Sequence, residues 1–325
     1  MNIPAIKISL AATLLFLFFQ DALFAQMSGT GMFINKNPLN RNIKYGNREK
    51  KPVTNLLPLF AKSLKNNGIS SEYPFGTGIS VFYHSQKFIA SSLILTSVSP
   101  ITGDTIRAWA DTLIQNTEAG ETQLVVKPNV WLLPFLNVYG IIGYTSGTVS
   151  PNLTAPKIVV SFPGLGEQII DTAVVINDKL PYHGPIYGIG TTLAAGIGKF
   201  FFTADYHYSI IYPDDLEGSL VYQSFSPKAG IVVNATKTLQ FVVWTGAMYL
   251  SNKQTMRGEV KVSDFSEELS KIIGDKADYV ADITPVNYWN FLIGTGVEIN
   301  SHHRIMLEGG FVHRLQLTAG YEFRF

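Results

Sequence analysis

The chain has 325 residues, 46% of them hydrophobic and only 15% charged, with 25 Lys and Arg against 24 Asp and Glu and no cysteine. Soluble globular chains average about 25% charged residues, so this one is short of charge, and its positive mean hydropathy excludes an intrinsically disordered protein. The missing cysteines exclude disulfide scaffolds, thiolate metal sites and cysteine nucleophiles. No run of about 18 apolar residues is present to make a membrane-spanning helix.

At the N-terminus Lys7 precedes an apolar stretch from Ile8 to Phe19, and Ala22-Leu-Phe-Ala25 offers a cleavage point before Gln26. One basic residue, a short apolar core and a small residue at the cut make a secretory signal peptide over residues 1–25. As a helix the apolar stretch rises about 18 Å, too short for about 30 Å of hydrocarbon. Residues 26–74 form a basic segment. Within it 53–66 has helical spacing, with Leu56, Leu57, Phe60 and Leu64 on one side, Lys62 and Lys65 on the other, and Pro58 disturbing the first turn.

From about residue 75 the pattern changes to period two, the signature of strands. Working along the chain, strands are expected within 75–97 and at 121–133, 136–148, 186–198, 200–211, 223–234, 238–250, 288–299, 303–312 and 315–325. In the run from Tyr187, the residues Tyr187, Ile189, Thr191, Leu193, Ala195 and Ile197 share one face, opposite Gly188, Gly190, Thr192, Ala194, Gly196 and Gly198. In the next, Phe200, Phe202, Ala204, Tyr206, Tyr208 and Ile210 oppose Phe201, Thr203, Asp205, His207 and Ser209.

Tight turns near Pro134–Asn137, Lys199, Ala235–Thr238 and Asn300–His302 alternate with long loops at 99–120, 149–184, 212–222 and 252–287. Short turns on one side, long loops on the other and aromatics near strand ends (Phe200, Phe202, Tyr212, Tyr249, Tyr288, Trp289, Phe323, Phe325) are the pattern of a transmembrane barrel. Closure leaves no unpaired edge in lipid. The expected fold is therefore all-β: a transmembrane antiparallel up-and-down β-barrel over 75–325, with about ten strands, twelve being the alternative. The glycines inside strands are read as space for lumen packing. In the 252–287 loop, residues 263–274 carry Phe265, Leu269, Ile272 and Ile273 at helical spacing, with Asp264 near the start, Lys271 near the end and Gly274 where a C-cap belongs.

The chain closes with Tyr321-Glu-Phe-Arg-Phe325, aromatic at alternate positions, which resembles the C-terminal signal read by the outer-membrane barrel assembly machinery. Together with Trp131-Leu-Leu-Pro-Phe-Leu-Asn-Val-Tyr-Gly140, Phe201-Phe-Thr-Ala-Asp-Tyr206, Trp244-Thr-Gly-Ala-Met-Tyr249, Trp289-Asn-Phe-Leu-Ile-Gly294 and Gln316-Leu-Thr-Ala-Gly320, it resembles a family of poorly characterised Gram-negative outer-membrane β-barrels. The resemblance covers about 75–325 and implies fold and location: the outer membrane, reached after signal-peptide cleavage near Ala25. It implies no activity. Outer-membrane lipid and lipopolysaccharide, the assembly machinery and a small solute are the expected partners; no nucleic acid, cofactor or metal is expected.

Chemistry-bearing motifs are scarce, with no HExxH, P-loop, GxGxxG or GxSxG present. The adjacent His302 and His303 fall at a turn, where side chains diverge. On the inner face of the later strands stand Asp205, His207, Lys228, Glu298, Arg304, Glu308, Arg314, Glu322 and Arg324. Charges of both signs on adjoining strands are expected to salt-bridge across the lumen, either plugging the barrel or lining a polar pore. At the outer rim, His183 and Asp178, with Asp214-Asp-Leu-Glu217, are candidates for a hydrolase or a calcium site.

The near-neutral total hides a division. Residues 36–65 hold eight basic residues and one acid, Glu49, a net +7, whereas 66–325 sum to −6. The basic segment is expected either to dock at the periplasmic mouth as a plug or to form a solvated tether. The leading function is a non-enzymatic barrel, a narrow channel for small solutes or a structural surface protein. Surface interaction through the acidic long loops is the alternative, and an outer-membrane hydrolase the third reading.

Overall fold

The computed structural model describes residues 57–59, 73–110, 114–164, 166–171, 174–176, 179–214, 218–236, 238–252, 254–264 and 266–325. The signal peptide, the basic segment apart from 57–59, the expected helix at 53–66, and Asp178, Asp215, Glu217 and Phe265 lie outside them.

Ten strands pair in a closed antiparallel ring. In chain order they are β1 (Phe75–Val98), β4 (Thr117–Leu133), β5 (Leu136–Ser150), β10 (Leu180–Ile197), β11 (Phe200–Ile211), β12 (Leu220–Asn234), β13 (Leu239–Ser251), β16 (Trp289–Ile299), β17 (His303–Gly310) and β18 (Leu315–Arg324). Between them lie the shorter β2 (Thr105–Ala110), β3 (Ile114–Gln115), β6 (Leu153–Ala155), β7 (Ile158–Phe162), β8 (Gly166–Ile170), β9 (Val174–Ile176), β14 (Gln254–Lys261) and β15 (Lys276–Pro285). The ring closes where β1 meets β18, in a register running from Gly76 opposite Arg324 to Ser85 opposite Leu315.

Alternation sorts the side chains. Ile189, Leu193, Phe202, Ile293, Ile305 and Leu317 are exposed on the outer wall, while Phe201, Trp244 and Trp131 are buried inside. Exposed aliphatic residues on every face of a closed sheet have one stable surrounding, the hydrocarbon of a bilayer. The turns at one end are short. At the hairpin between β16 and β17, Asn300 and Ser301 both have positive φ, 54° and 61°, the backbone that a two-residue turn between right-twisted strands requires. Both ends of the described barrel, Phe75 and Phe325, meet at this same end and exchange two backbone hydrogen bonds. This is the architecture of outer-membrane barrels, in which the short turns face the periplasm.

The opposite end departs from the sequence expectation. The stretches at 99–120, 149–184 and 252–287, read as loops, contain eight short strands among the described residues, beside the helix expected in the last of them. They are organised by β1, whose 24 residues continue beyond the ring. A register shift between Ala90 and Ser92 marks a bulge. Below it the odd-numbered Ile79, Val81 and Ile89 are exposed; above it the even-numbered Ile94 and Val98 are. One extra residue thus reverses parity while keeping each face continuous.

Above the bulge β1 pairs β15 on one side and β2 on the other, extending to a six-stranded order β14-β15-β1-β2-β7-β8. Helix α1 (Glu267–Ile273) follows a 3-10 turn at Val262–Asp264. It begins later than its periodicity suggests because Ser266 is the N-cap, its hydroxyl accepting the Leu269 amide at 3.1 Å. Leu269, Ile273 and Val262 pack with Leu95, Ile106, Ala108, Ile158, Val160 and Ala277 into one apolar core. Since Leu95 lies on the same side of β1 as the inward-facing Phe88 and Ala90, this core sits on the lumen side of the extended sheet.

Candidate functional site

The lumen is filled in layers. At the periplasmic end the cross-strand register itself builds an ion network: Glu298 on β16 lies opposite Arg304 on β17, and Arg304 opposite Glu322 on β18. The Arg304 guanidinium donates to Glu298 at 3.1 Å and to Glu322 at 3.4 Å, and Arg324 donates to Glu322 at 2.9 Å, with every side chain at most 5% exposed. Asn129 donates to Glu322 at 2.9 Å and accepts from Asn137 at 3.2 Å. Arg324 also reaches the Tyr73 carbonyl at 2.9 Å and lies over the Trp131 ring. Two cations face two anions, so the layer is neutral, buried and closely hydrogen-bonded. Just outside it the Leu59 amide donates to the Leu132 carbonyl at 2.9 Å, so residues 57–59 of the N-terminal segment touch this end of the barrel.

The middle of the lumen holds a cavity of about 120 Å³. Lys228 pairs with Glu308 at 2.6 Å, and the Trp244 indole donates to the same carboxylate at 2.7 Å. Asp205 accepts from Tyr139 at 2.9 Å and from Thr192 at 2.7 Å, with a His207 ring nitrogen 3.8 Å away. Lys127 rests its ammonium over the Tyr139 ring, 5.6 Å from the centroid.

Glycine makes room for these rings, as the sequence suggested. A β-carbon on Gly190 would lie 2.2 Å from the Tyr139 ring, and one on Gly294 2.2 Å from that of Trp244. Gly190→Ala should therefore cost about 1–3 kcal/mol as an overpacked core, read by denaturant unfolding in micelles. At Gly309, where the nearest atom to a new β-carbon is 4.0 Å away, the same change should be nearly silent.

Above the cavity Glu121 is a node. Tyr182 donates to it at 2.5 Å, Thr145 at 2.9 Å and Gln123 at 2.5 Å, and Tyr222 donates as well. Arg314 is held by amides instead of a carboxylate, donating to Gln86 at 3.1 Å and Gln316 at 3.0 Å. The remaining space is apolar: Phe88, Val149, Ile186, Ile211, Leu220 and Leu250 are all buried.

The nine charges expected inside thus divide. Glu298, Arg304, Glu322 and Arg324 form one network; Asp205 and His207 form a second pair, and Lys228 and Glu308 a third; Arg314 stands apart in an amide shell. Sequence reasoning missed Glu121 and Lys127, although both share the inward parity of Gln123 and Asn129. At the rim His183 and Asp214 lie 3.7 Å apart and about half exposed, with Tyr144 donating to the same carboxylate at 3.3 Å. His302 and His303 are taken up by the turn: His302 Nδ1 donates to the Arg324 carbonyl at 2.6 Å, and His303 Nδ1 shares a hydrogen bond with the Tyr321 hydroxyl at 2.8 Å. Among the described residues no three His, Asp or Glu side chains gather to hold a metal.

No protein-family model matches the chain, and no curated protein matches it. Among solved structures it is similar to the outer membrane protein OprG from Pseudomonas aeruginosa, at 11% identity over 78% of this chain and 99% of that one, TM-score 0.36. It is also similar to the COG4313 outer membrane channel from Pseudomonas putida F1, at 11% identity over 79% and 97%, TM-score 0.32. A third similar structure is the outer membrane protease OmpT from Escherichia coli, at 12% identity over 78% and 97%, TM-score 0.28. At these values the barrel stands on its own strand pairing, and no activity follows from the similarity.

Proposed function

We propose that the chain is a non-enzymatic Gram-negative outer-membrane protein whose filled barrel anchors a folded extracellular module for surface contact. Export by the signal peptide cut near Ala25 delivers it to the periplasm. Tyr321, Phe323 and Phe325, exposed on the outer wall at the periplasmic end, suit recognition by the assembly machinery from the lipid side. The observation that carries the reading is the Arg304–Glu322 layer, which leaves no wide aqueous path while the module above it has a core of its own. Lipopolysaccharide and a partner at the cell surface are the contacts available to such a module.

Planar-bilayer recording tests the reading. The full chain should show no steady conductance, and neither should a chain lacking residues 26–66, because the ion layer closes the lumen in both. Conductance in both would support a narrow channel for small solutes, which the mid-lumen cavity favours; conductance in the truncated chain alone would make the basic segment a plug.

A further inference from the structure

We infer that the mid-lumen cavity is a binding site for one small monovalent anion, of halide or short-carboxylate size, held by Lys127, Ser224 and Ser226. Independently of the surface reading, this inference rests on hydrogen-bonding capacity. Formal charges facing the cavity are Lys127, Lys228, Asp205 and Glu308, and His207, Tyr139 and Tyr222 are the other titratable groups. The acids are occupied: Asp205 accepts from Tyr139 and Thr192 beside His207, and Glu308 accepts from Lys228 and Trp244.

The donors are not all engaged. Among the described residues no carboxylate oxygen lies within ion-pair distance of the Lys127 ammonium, which rests over the Tyr139 ring and feels Asp205, Glu308 and Lys228 only from farther off. Ser224 and Ser226 face the same cavity, each 1% exposed, and neither hydroxyl has a hydrogen-bond partner. Buried hydroxyls without partners are rare and costly, on the order of 1–3 kcal/mol each.

An ammonium contributes three donors and no acceptor, and each serine can donate once more. An acceptor-only species therefore satisfies the site best. Water would add two donors of its own to a place already rich in them. The cavity's 120 Å³ accommodates a few heavy atoms, which fits bromide, formate or acetate. The cavity lies between the Arg304 layer and Glu121, so the anion enters when the barrel folds or exchanges as those layers move.

Crystals of the full-length protein grown in bromide should show an anomalous peak in the cavity, between Lys127 and the two serines. In micelles at constant ionic strength, set with a bulky organic anion, bromide or formate should raise the thermal midpoint of the folded barrel by mass action. Lys127→Met should abolish that rise, and Ser224→Ala/Ser226→Ala should weaken it; the serine variant serves alone if the lysine variant does not fold. A cavity holding ordered water without anomalous signal would overturn the inference. So would a midpoint rise equal in wild type and variants, which is a general salt effect.

Discussion

Glu322→Ala should destabilise the barrel by about 3–5 kcal/mol, the cost of breaking a buried ion network by removing one partner. Glu322 is the shared acceptor for Arg304, Arg324 and Asn129. Its loss leaves two guanidinium groups buried against a single remaining acid, Glu298. Denaturant unfolding in micelles reads the effect directly. The paired replacement Arg304→Met/Glu298→Leu should cost less than the single change, because it removes one charge of each sign and leaves the Glu322–Arg324 pair at 2.9 Å intact. A single variant no worse than the double would mean that water reaches this layer and screens it. Because several kcal/mol is a large share of a protein's total stability, conductance or binding measured on any variant of this layer has to be paired with a folding measurement.

The same network shows what a sequence can disclose about a barrel. Once the Asn300 turn is placed, antiparallel register carries Glu298 to Arg304, and the next hairpin carries Arg304 to Glu322. Period-two alternation alone then puts all of them inside. Glu121 is harder to find because two of its four partners, Tyr182 and Tyr222, fall outside the expected strands. Tyr182 was read as part of a long loop, whereas β10 begins at Leu180; Tyr222 preceded a strand expected from 223, whereas β12 begins at Leu220.

The extracellular module was hidden for a different reason. Its strands are mostly 2–8 residues long, too short for periodicity to register, and its organising pairs are remote in sequence, such as Leu95 with Tyr279. The bulge at Ala90–Ser92 then reverses parity in β1, whose pairing spans barrel and module. Only the helix was legible, because Leu269, Ile272 and Ile273 keep helical spacing and Gly274 stops it. Its beginning depended on a cap, Ser266, that spacing alone does not choose over Ser263.

Leu269→Ala should cost the module about 2–5 kcal/mol, since this side chain is fully buried and its loss opens a cavity in a small core. Leu269→Asp should go further and detach α1 from the sheet, because a carboxylate there has no partner among Ile106, Val160, Val262 and Ile273. The barrel should survive either change. Its closure uses Phe75 to Phe88 of β1, paired with β18 and β4, whereas the module pairs with β1 from Phe88 onward, mostly above the bulge.

Limited proteolysis of the protein in micelles separates the two outcomes. The expected result is new cleavage within 254–285 of the Leu269→Asp variant, with the ten-stranded ring still protected and its unfolding midpoint little changed. Ser266→Ala, removing only the cap, should cost about 1 kcal/mol and cleave more slowly. Loss of ring and module together would show that β1 transmits module unfolding into the wall. The module would then be part of the barrel's own closure, and its surface could not change shape on binding without opening the lumen beneath it.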